Sequence, residues 1–121
     1  LLAISSIMGL AGYRYASAYS ASKHGVNGLV TSVAAELATS GITANALCPG
    51  YLDTAMTDRS IANIAERTGM TADDARAVLA DMSPAGRLIT PAEVSLAALW
   101  LCRPESDAVN GQTIAINGGE V

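Results

Sequence analysis

Apolar residues in this chain fall into short continuous runs and longer periodic ones. Leu1 to Ser5 is of the first kind and ends in small hydroxyl residues, which predicts a parallel strand buried on both faces. Ser6 then sits at its carboxyl end, the edge where active sites form in open parallel sheets. A glycine-bearing loop, Gly9 to Tyr15, leads into a stretch from Ala16 to Thr39 in which Val26, Leu29, Val30, Val33 and Leu37 recur at helical spacing as one stripe. Gly41 suits the end of that helix, because glycine tolerates left-handed backbone. Gly25 and Gly28 inside it each cost about 1 kcal/mol against alanine, so the close approach of another backbone is expected there, with a cofactor or a neighbouring subunit as the partner.

Ile42 to Cys48 predicts the next strand, broken at once by Pro49-Gly50. A strand, a sharp turn and a helix start form a ligand-binding arrangement. Asp53 to Thr68 and Thr71 to Met82 read as two helices separated by Gly69, the second with a stripe of Ala75, Val78, Leu79 and Met82 and a capping box at Thr71-x-x-Asp74. This pair, about 53–83, is either a lid over the site or a surface insertion with no gating role. Thr90-Pro91-Ala-Glu93 opens a helix that runs to about Cys102. Val94 and Leu96 to Leu101 make it apolar nearly all round, so both of its sides need cover. Asn110-Gly111 turns the chain into a last strand, Thr113 to Ile116. Three strands alternating with helices predict α/β architecture with a parallel sheet whose strands stack as consecutive neighbours.

A length of 121 residues, half of them apolar, points to one domain with a core. Eleven acidic against seven basic residues, with no basic run, argue against nucleic acid as a partner. The longest apolar run, around Ala97 to Cys102, falls far short of the ~20 residues that span a bilayer, so no membrane segment is expected. The opening Leu1-Leu-Ala-Ile has no basic residues before it and reads as part of an interrupted gene product, not as a signal peptide. Cys48 and Cys102 are too few for a disulfide framework and lack metal-ligand spacing. Both are expected to be buried free thiols, in keeping with a reducing cytoplasm.

Tyr19 and Lys23 are four residues apart, hence one turn apart on one helix face. An ammonium roughly 5 Å from a phenol, at an effective dielectric of about 20, stabilises phenolate by ~3 kcal/mol and brings the tyrosine toward the range of an acid-base catalyst. Ser6, thirteen residues earlier across a loop holding Gly9 and Gly12, can bring a hydroxyl to the same point. Each has a plainer alternative: a core tyrosine, a solvated lysine, and a strand-end serine bonded to local backbone, with Ser5 as a rival for the position. Thr54 also reads as a helix N-cap. His24 lacks the nucleophile elbow that a triad with Ser6 and Asp53 would need and is expected to be a partly exposed helix residue. Asp53, Asp58, Asp73 and Asp74 lack the spacing of a calcium loop and suit helix N-termini. Tyr13, Tyr15, Tyr51 and Met56 stand where they could line a substrate pocket or pack the loop against the lid.

Ser6, Tyr19-x-x-x-Lys23, Gly25-Val-Asn-Gly28-Leu and Asn45-Ala-Leu-Cys-Pro49-Gly50-Tyr-Leu-Asp-Thr54, in this order and continuing to Asn117-Gly118-Gly119, resemble the C-terminal half of a short-chain dehydrogenase/reductase. The resemblance covers essentially the whole chain. The family's glycine-rich dinucleotide loop and Asn-Asn-Ala-Gly segment have no counterpart in it. The resemblance implies that the strands are the last three of a doubly wound, Rossmann-type parallel sheet, and that residues 1–121 are the catalytic half of one nucleotide-binding domain. It implies hydride transfer between the nicotinamide of NAD or NADP and a small-molecule alcohol or ketone. Tyr19 would be the proton donor, Lys23 would lower its pKa and bond the nicotinamide ribose, and Ser6 would polarise the carbonyl. Pro49, Gly50, Leu52 and Thr54 would hold the nicotinamide end, with the threonine on the carboxamide. Cys48-Pro-Gly-Tyr51, the helical lid and Pro84-Ala-Gly-Arg87 look like members acting on 3-hydroxy or 3-oxo acids and acyl thioesters. A homotetramer is also implied, and the choice between NAD and NADP falls to a residue of the other half. The 121 residues alone are expected to be inactive, and the alternative is a non-catalytic chain kept as an interaction module.

Overall fold

In chain order the computed structural model, which describes residues 1–121, has β1 (Leu2–Ile4), a 3-10 turn (Ile7–Gly9), α1 (Ser17–Glu36), β2 (Asn45–Pro49), α2 (Ala55–Thr68), α3 (Ala72–Asp81), α4 (Pro91–Leu101), a second 3-10 turn (Pro104–Ser106) and β3 (Thr113–Ile116). The middle strand explains the layering. β2 is buried at every position, and a strand without a polar face must be covered on both sides and paired on both edges. β1 and β3 flank it in parallel, in the order β1-β2-β3. Successive β2 side chains point to opposite faces. Ala46 joins Val30, Ala34 and Ala44 beneath α1, whereas Leu47 joins Ile89, Val94 and Leu101 on the α4 side. A third apolar cluster, Ile61, Ala75, Leu79 and Leu88, ties α2 to α3 apart from the sheet. Buried Asn45 is satisfied by the turn before β3, donating to the Val109 carbonyl at 2.7 Å and accepting from the Gln112 N–H at 2.9 Å.

The fold class, strand order and helix order agree with the sequence reading; several burial expectations do not. β1 is not buried on both faces: Leu2 and Ile4 are exposed and only Ala3 packs inward, because β1 pairs on one edge alone and α1 covers one of its faces. Leu29 lies outside the α1 stripe and is exposed, its place taken by Ala34. Val78 and Met82 likewise point away from the α2–α3 contact. On α4 only Val94 and Leu101 are buried, and Leu96, Leu99 and Trp100 form an exposed apolar face, since no other element of the chain lies there. Cys102 is exposed at the end of α4, so only Cys48 is a buried thiol. α1 stops at Glu36, ahead of Gly41, whose positive φ of 75° closes the turn that follows. Nothing in the chain approaches within 4 Å of a Cβ at Gly25 or Gly28. No helix is long and apolar enough to cross a membrane.

The start of α4 is fixed by a capping box in which Thr90 accepts from the Glu93 N–H while the Glu93 carboxylate accepts from the Thr90 N–H at 2.8 Å. Arg87 adds two bonds to the same carboxylate, at 2.9 and 2.6 Å. The Arg87 guanidinium first, and then the Thr90 donors, hold the Glu93 carboxyl down at about 2. A carboxyl depressed on folding contributes stability above its unfolded pKa of about 4.3 and loses it as pH falls through the folded value. The difference in melting temperature between the protein and its Glu93→Gln variant is therefore expected to be constant from pH 7 to about 5 and to shrink toward zero as pH approaches about 2. Thermal melts across that range check this, and a difference that does not fall with acid contradicts it.

Candidate active site

All three strands end at one edge of the sheet, with Ile4 level with Leu47 and Pro49 level with Ile116. The ladders run one residue further, through the Ser5 N–H to Leu47 at 2.7 Å and the Gly50 N–H to Ile116 at 3.0 Å, and there the loops part. Between the loop after β1, the start of α1 and the turn after β2 lies a cavity of about 730 Å³. Ser6, Tyr19, Lys23, Pro49, Gly50, Leu52 and Thr54, all seven residues singled out from the sequence, line it.

Ser6 is set by the 3-10 turn it caps. Its backbone is extended, and its Oγ accepts from the Met8 N–H at 3.2 Å, which leaves the hydroxyl proton to donate elsewhere. Ser5, its rival, donates to the Lys23 carbonyl at 3.2 Å and is thereby committed to α1. The turn lies flat on that helix because residue 9 is glycine: a Cβ there would stand 2.8 Å from the Lys23 carbonyl oxygen and from Ser5 Oγ, and 2.9 Å from Asn27 Nδ2. Asn27 closes the contact by donating to the Gly9 carbonyl at 2.8 Å, and its own oxygen accepts from the buried Cys48 thiol at 3.7 Å. Burial pushes that thiol up against the opposing pull of its hydrogen-bond partners. Asn27 did not emerge from the sequence as a site residue. The signal was there: positions 19, 23 and 27 repeat every four residues on one helix face, and an asparagine next to the apolar stripe needs a partner.

Tyr19 is half exposed on the cavity wall, with Lys23 Nζ 5.6 Å from its ring centroid. The Lys23 ammonium donates to the Ile4 carbonyl at 3.1 Å, which orients it and leaves two of its three protons free. Across the cavity, Leu52 pairs with Ile89 through its neighbours: the Asp53 N–H donates to Ile89 at 2.8 Å and the Ile89 N–H to Tyr51 at 2.9 Å. In a parallel bridge of this kind the central residue's own N–H and C=O point the other way. Thr54 begins α2 with extended backbone but its side chain caps nothing, so its hydroxyl remains for the cavity.

Tyr15, Tyr51 and Met56 line the cavity as anticipated, and Tyr13 does not. Tyr13 turns to the C-terminal segment, where its hydroxyl donates to Glu120 at 2.6 Å; burial and this carboxylate raise its pKa. Burial, then the Glu120 charge, also raise that of Tyr51. His24 is exposed, with Nδ1 2.9 Å from the Ser20 carbonyl, and Asp53 is held by Arg76 at 2.6 Å, so neither joins Ser6. Of the proposed lid, only the first turns of α2, as far as Ser60, reach the cavity.

A family model described as enoyl-(acyl carrier protein) reductase matches residues 1–120. Among curated proteins, D-beta-hydroxybutyrate dehydrogenase of Rhizobium meliloti is 34% identical over 120 residues, covering 98% of this chain and 46% of that protein. The 3-oxoacyl-(acyl-carrier-protein) reductase of Vibrio harveyi is 34% identical over 119 residues, covering 98% of this chain and 44% of that protein. Among solved structures, an actinorhodin polyketide ketoreductase with NADPH superposes with a TM-score of 0.93 at 34% identity, covering 98% of this chain and 46% of that one. The chain thus spans about half the length of the relatives it matches.

Gly9→Ala tests the seat of the turn. Its Cβ meets backbone and short side chains that cannot swing away, so a loss of ~1–3 kcal/mol is expected in urea unfolding. Gly12→Ala, where nothing lies within 4 Å, is the control, with a change within about 0.5 kcal/mol. Equal effects at the two positions would contradict the close contact.

Proposed function

This chain belongs to the short-chain dehydrogenase/reductase family, and we propose that it is the catalytic half of an NAD(P)-dependent oxidoreductase interconverting a ketone and an alcohol. The observation that carries this reading is the meeting of Ser6, Tyr19 and Lys23 on one cavity wall at the carboxyl edge of a parallel sheet. Two structural relatives were solved with the cofactor in place, the polyketide ketoreductase with NADPH and ElxO with NADP. The residues present fit the nicotinamide end of such a cofactor. Lys23 has two protons for ribose hydroxyls, the Leu52 N–H and Thr54 hydroxyl are unpaired donors toward a carboxamide, and Pro49-Gly50 offers a flat, uncharged surface. When bound, the dinucleotide supplies the hydride.

The chain's own residues handle the oxygen and its proton. The Ser6 hydroxyl, already accepting from Met8, donates to the substrate carbonyl and holds it against Tyr19. As hydride reaches the carbon, the Tyr19 O–H gives its proton to the oxygen, so one hydride and one proton complete the alcohol; oxidation runs the same steps backward. The Lys23 ammonium, held by the Ile4 carbonyl, stays 5.6 Å from the Tyr19 ring throughout. A 3-hydroxy or 3-oxo acid or acyl thioester is the substrate class suggested by the two curated relatives. The exposed apolar face of Leu96, Leu99 and Trp100 supports a homo-oligomer, a tetramer in this reading, and a cytoplasmic location belongs to the same reading.

In the protein assayed with the nucleotide-binding half that its relatives carry, Tyr19→Phe is expected to lower kcat by more than about tenfold while cofactor affinity stays within a few fold. The phenol acts on the substrate oxygen and not on the dinucleotide. Steady-state kinetics with a cofactor titration check this, and a variant retaining more than about a tenth of kcat overturns the role of Tyr19.

A further inference from the structure

We propose that Tyr13 and Glu120 form a clasp that holds the turn carrying Tyr15 at the mouth of the cavity, which makes both of them positioning residues for the carbonyl compound bound there. The inference rests on the oxidoreductase reading for what is bound, and on the loop's own contacts for how it is held. The Tyr13 hydroxyl donates to the Glu120 carboxylate at 2.6 Å, across 107 positions of sequence. Neither residue lines the cavity. Burial and the carboxylate both raise the Tyr13 pKa, so the phenol keeps the proton that makes the bond.

The loop that leads into α1 has little else to hold it. Its start is seated on the helix by Asn27, which donates to the Gly9 carbonyl at 2.8 Å. Beyond Gly9, the residues from Leu10 to Tyr15 bond only their near neighbours in the chain, with the single exception of Tyr13 to Glu120. The anchor itself is firm. A Cβ at Gly50 would stand 3.4 Å from the other Glu120 carboxylate oxygen and 3.2 Å from Asn117, so Glu120 lies against the turn after β2. The clasp thereby ties together two loops of the mouth that share no direct hydrogen bond.

What the clasp holds is a strained turn. The Ala16 N–H donates to the Tyr13 carbonyl at 3.3 Å and closes a β-turn with Arg14 and Tyr15 at its centre. Tyr15 is the only non-glycine residue with positive φ, at 64°, which gives the φ signs of a type II turn, whose third position favours glycine. A tyrosine there is strained, and at 98% exposure its ring buries nothing in the chain. The two ends of the turn account for its shape: Tyr13 is fixed by Glu120, and Ala16 by α1, where its carbonyl accepts from the Ser20 N–H at 2.7 Å. Tyr15 and Ala16 are thereby set on the cavity wall that also carries Tyr19.

Trypsin reads the clasp directly in the protein joined to the remaining half of a relative's length. Arg14–Tyr15 is an exposed cleavable bond, and Arg67–Thr68 in the last turn of α2 is an exposed control. Tyr13→Phe deletes only the hydroxyl; it is expected to speed the cut after Arg14 by about fivefold and to leave the cut after Arg67 within about twofold. Glu120→Gln keeps an acceptor for the phenol and is expected to stay within about twofold of the parent at both bonds. The acetoacetyl thioester of N-acetylcysteamine serves as the ketone, with whichever of NADH and NADPH is turned over. Tyr13→Phe is expected to raise its KM about fivefold with kcat within about twofold, the sign of lost binding and not of lost chemistry. In a Tyr15→Gly background the same substitution is expected to change KM by less than about twofold, because the residue it positions is gone. The proposal is overturned if both bonds are cut faster together as in a general loss of stability, or if the cut after Arg14 does not change. It is equally overturned if Glu120→Gln is as impaired as Tyr13→Phe, if KM does not rise, or if KM rises as much in the Tyr15→Gly background. Digestion needs neither cofactor nor turnover, so an inactive parent whose Arg14 bond is opened by Tyr13→Phe would sink the catalytic reading and leave the clasp standing.

Discussion

The flat contact between the turn at Gly9 and the flank of α1 decides whether this chain has a site at all. Ser6 and Tyr19 come from different elements, and a hydroxyl can face a phenol only if the loop after β1 lies close against the helix that carries the phenol. No side chain fits at position 9, because the Lys23 carbonyl, Ser5 and Asn27 already occupy its surroundings. The polar groups pressed together by that approach are satisfied in a chain: Ser5 to Lys23, Asn27 to Gly9, and Cys48 to Asn27. Leaving any of them unpaired in the interior would cost ~1–3 kcal/mol, so the contact is specified by hydrogen bonds as well as by shape.

Much of this was legible in the sequence, and the reasons differ by feature. The three strands and four long helices follow from periodicity and punctuation, and the Thr90 capping box and Asn110-Gly111 turn fall where local chemistry puts them. The seven residues singled out through spacing and resemblance share a cavity because strand ends in a parallel sheet lie at one edge. What the sequence hid was which neighbour covers which face. Leu29, Leu96 and Ile4 are as apolar as Val30 and Leu47, and only the arrangement of elements leaves them outside. Asn27 was hidden for the opposite reason: a polar residue on a helix reads as surface until the carbonyl it serves is known.

The C-terminal segment ties the surroundings of the cavity together. Asn117 packs against Gly50, where a Cβ would meet it at 3.2 Å, and Ser83 just after the helical pair donates to the Asn117 carbonyl at 3.1 Å. Glu120 then reaches Tyr13. One short stretch thereby links the loop after β1, the turn after β2 and the end of the helical pair, and it places a fixed negative charge behind the cavity wall. Ser6, Tyr19 and Lys23 stand on the α1 side of the cavity, and the Glu120 carboxylate lies beside Gly50 on the opposite side.

The central claim is that a carbonyl held between Ser6 and Tyr19 receives hydride from a nicotinamide bound along Pro49 to Thr54. Isotope transfer tests it most directly. The protein, joined to the remaining half of a relative's length, is given a ketone with NADH and NADPH deuterated on the transferable face, and the alcohol formed is analysed by mass spectrometry. The account expects one deuterium on the carbinol carbon with at least one of the two cofactors, and loss of product when Tyr19 is phenylalanine. Alcohol formed without deuterium, or formed equally well by the phenylalanine variant, would contradict it.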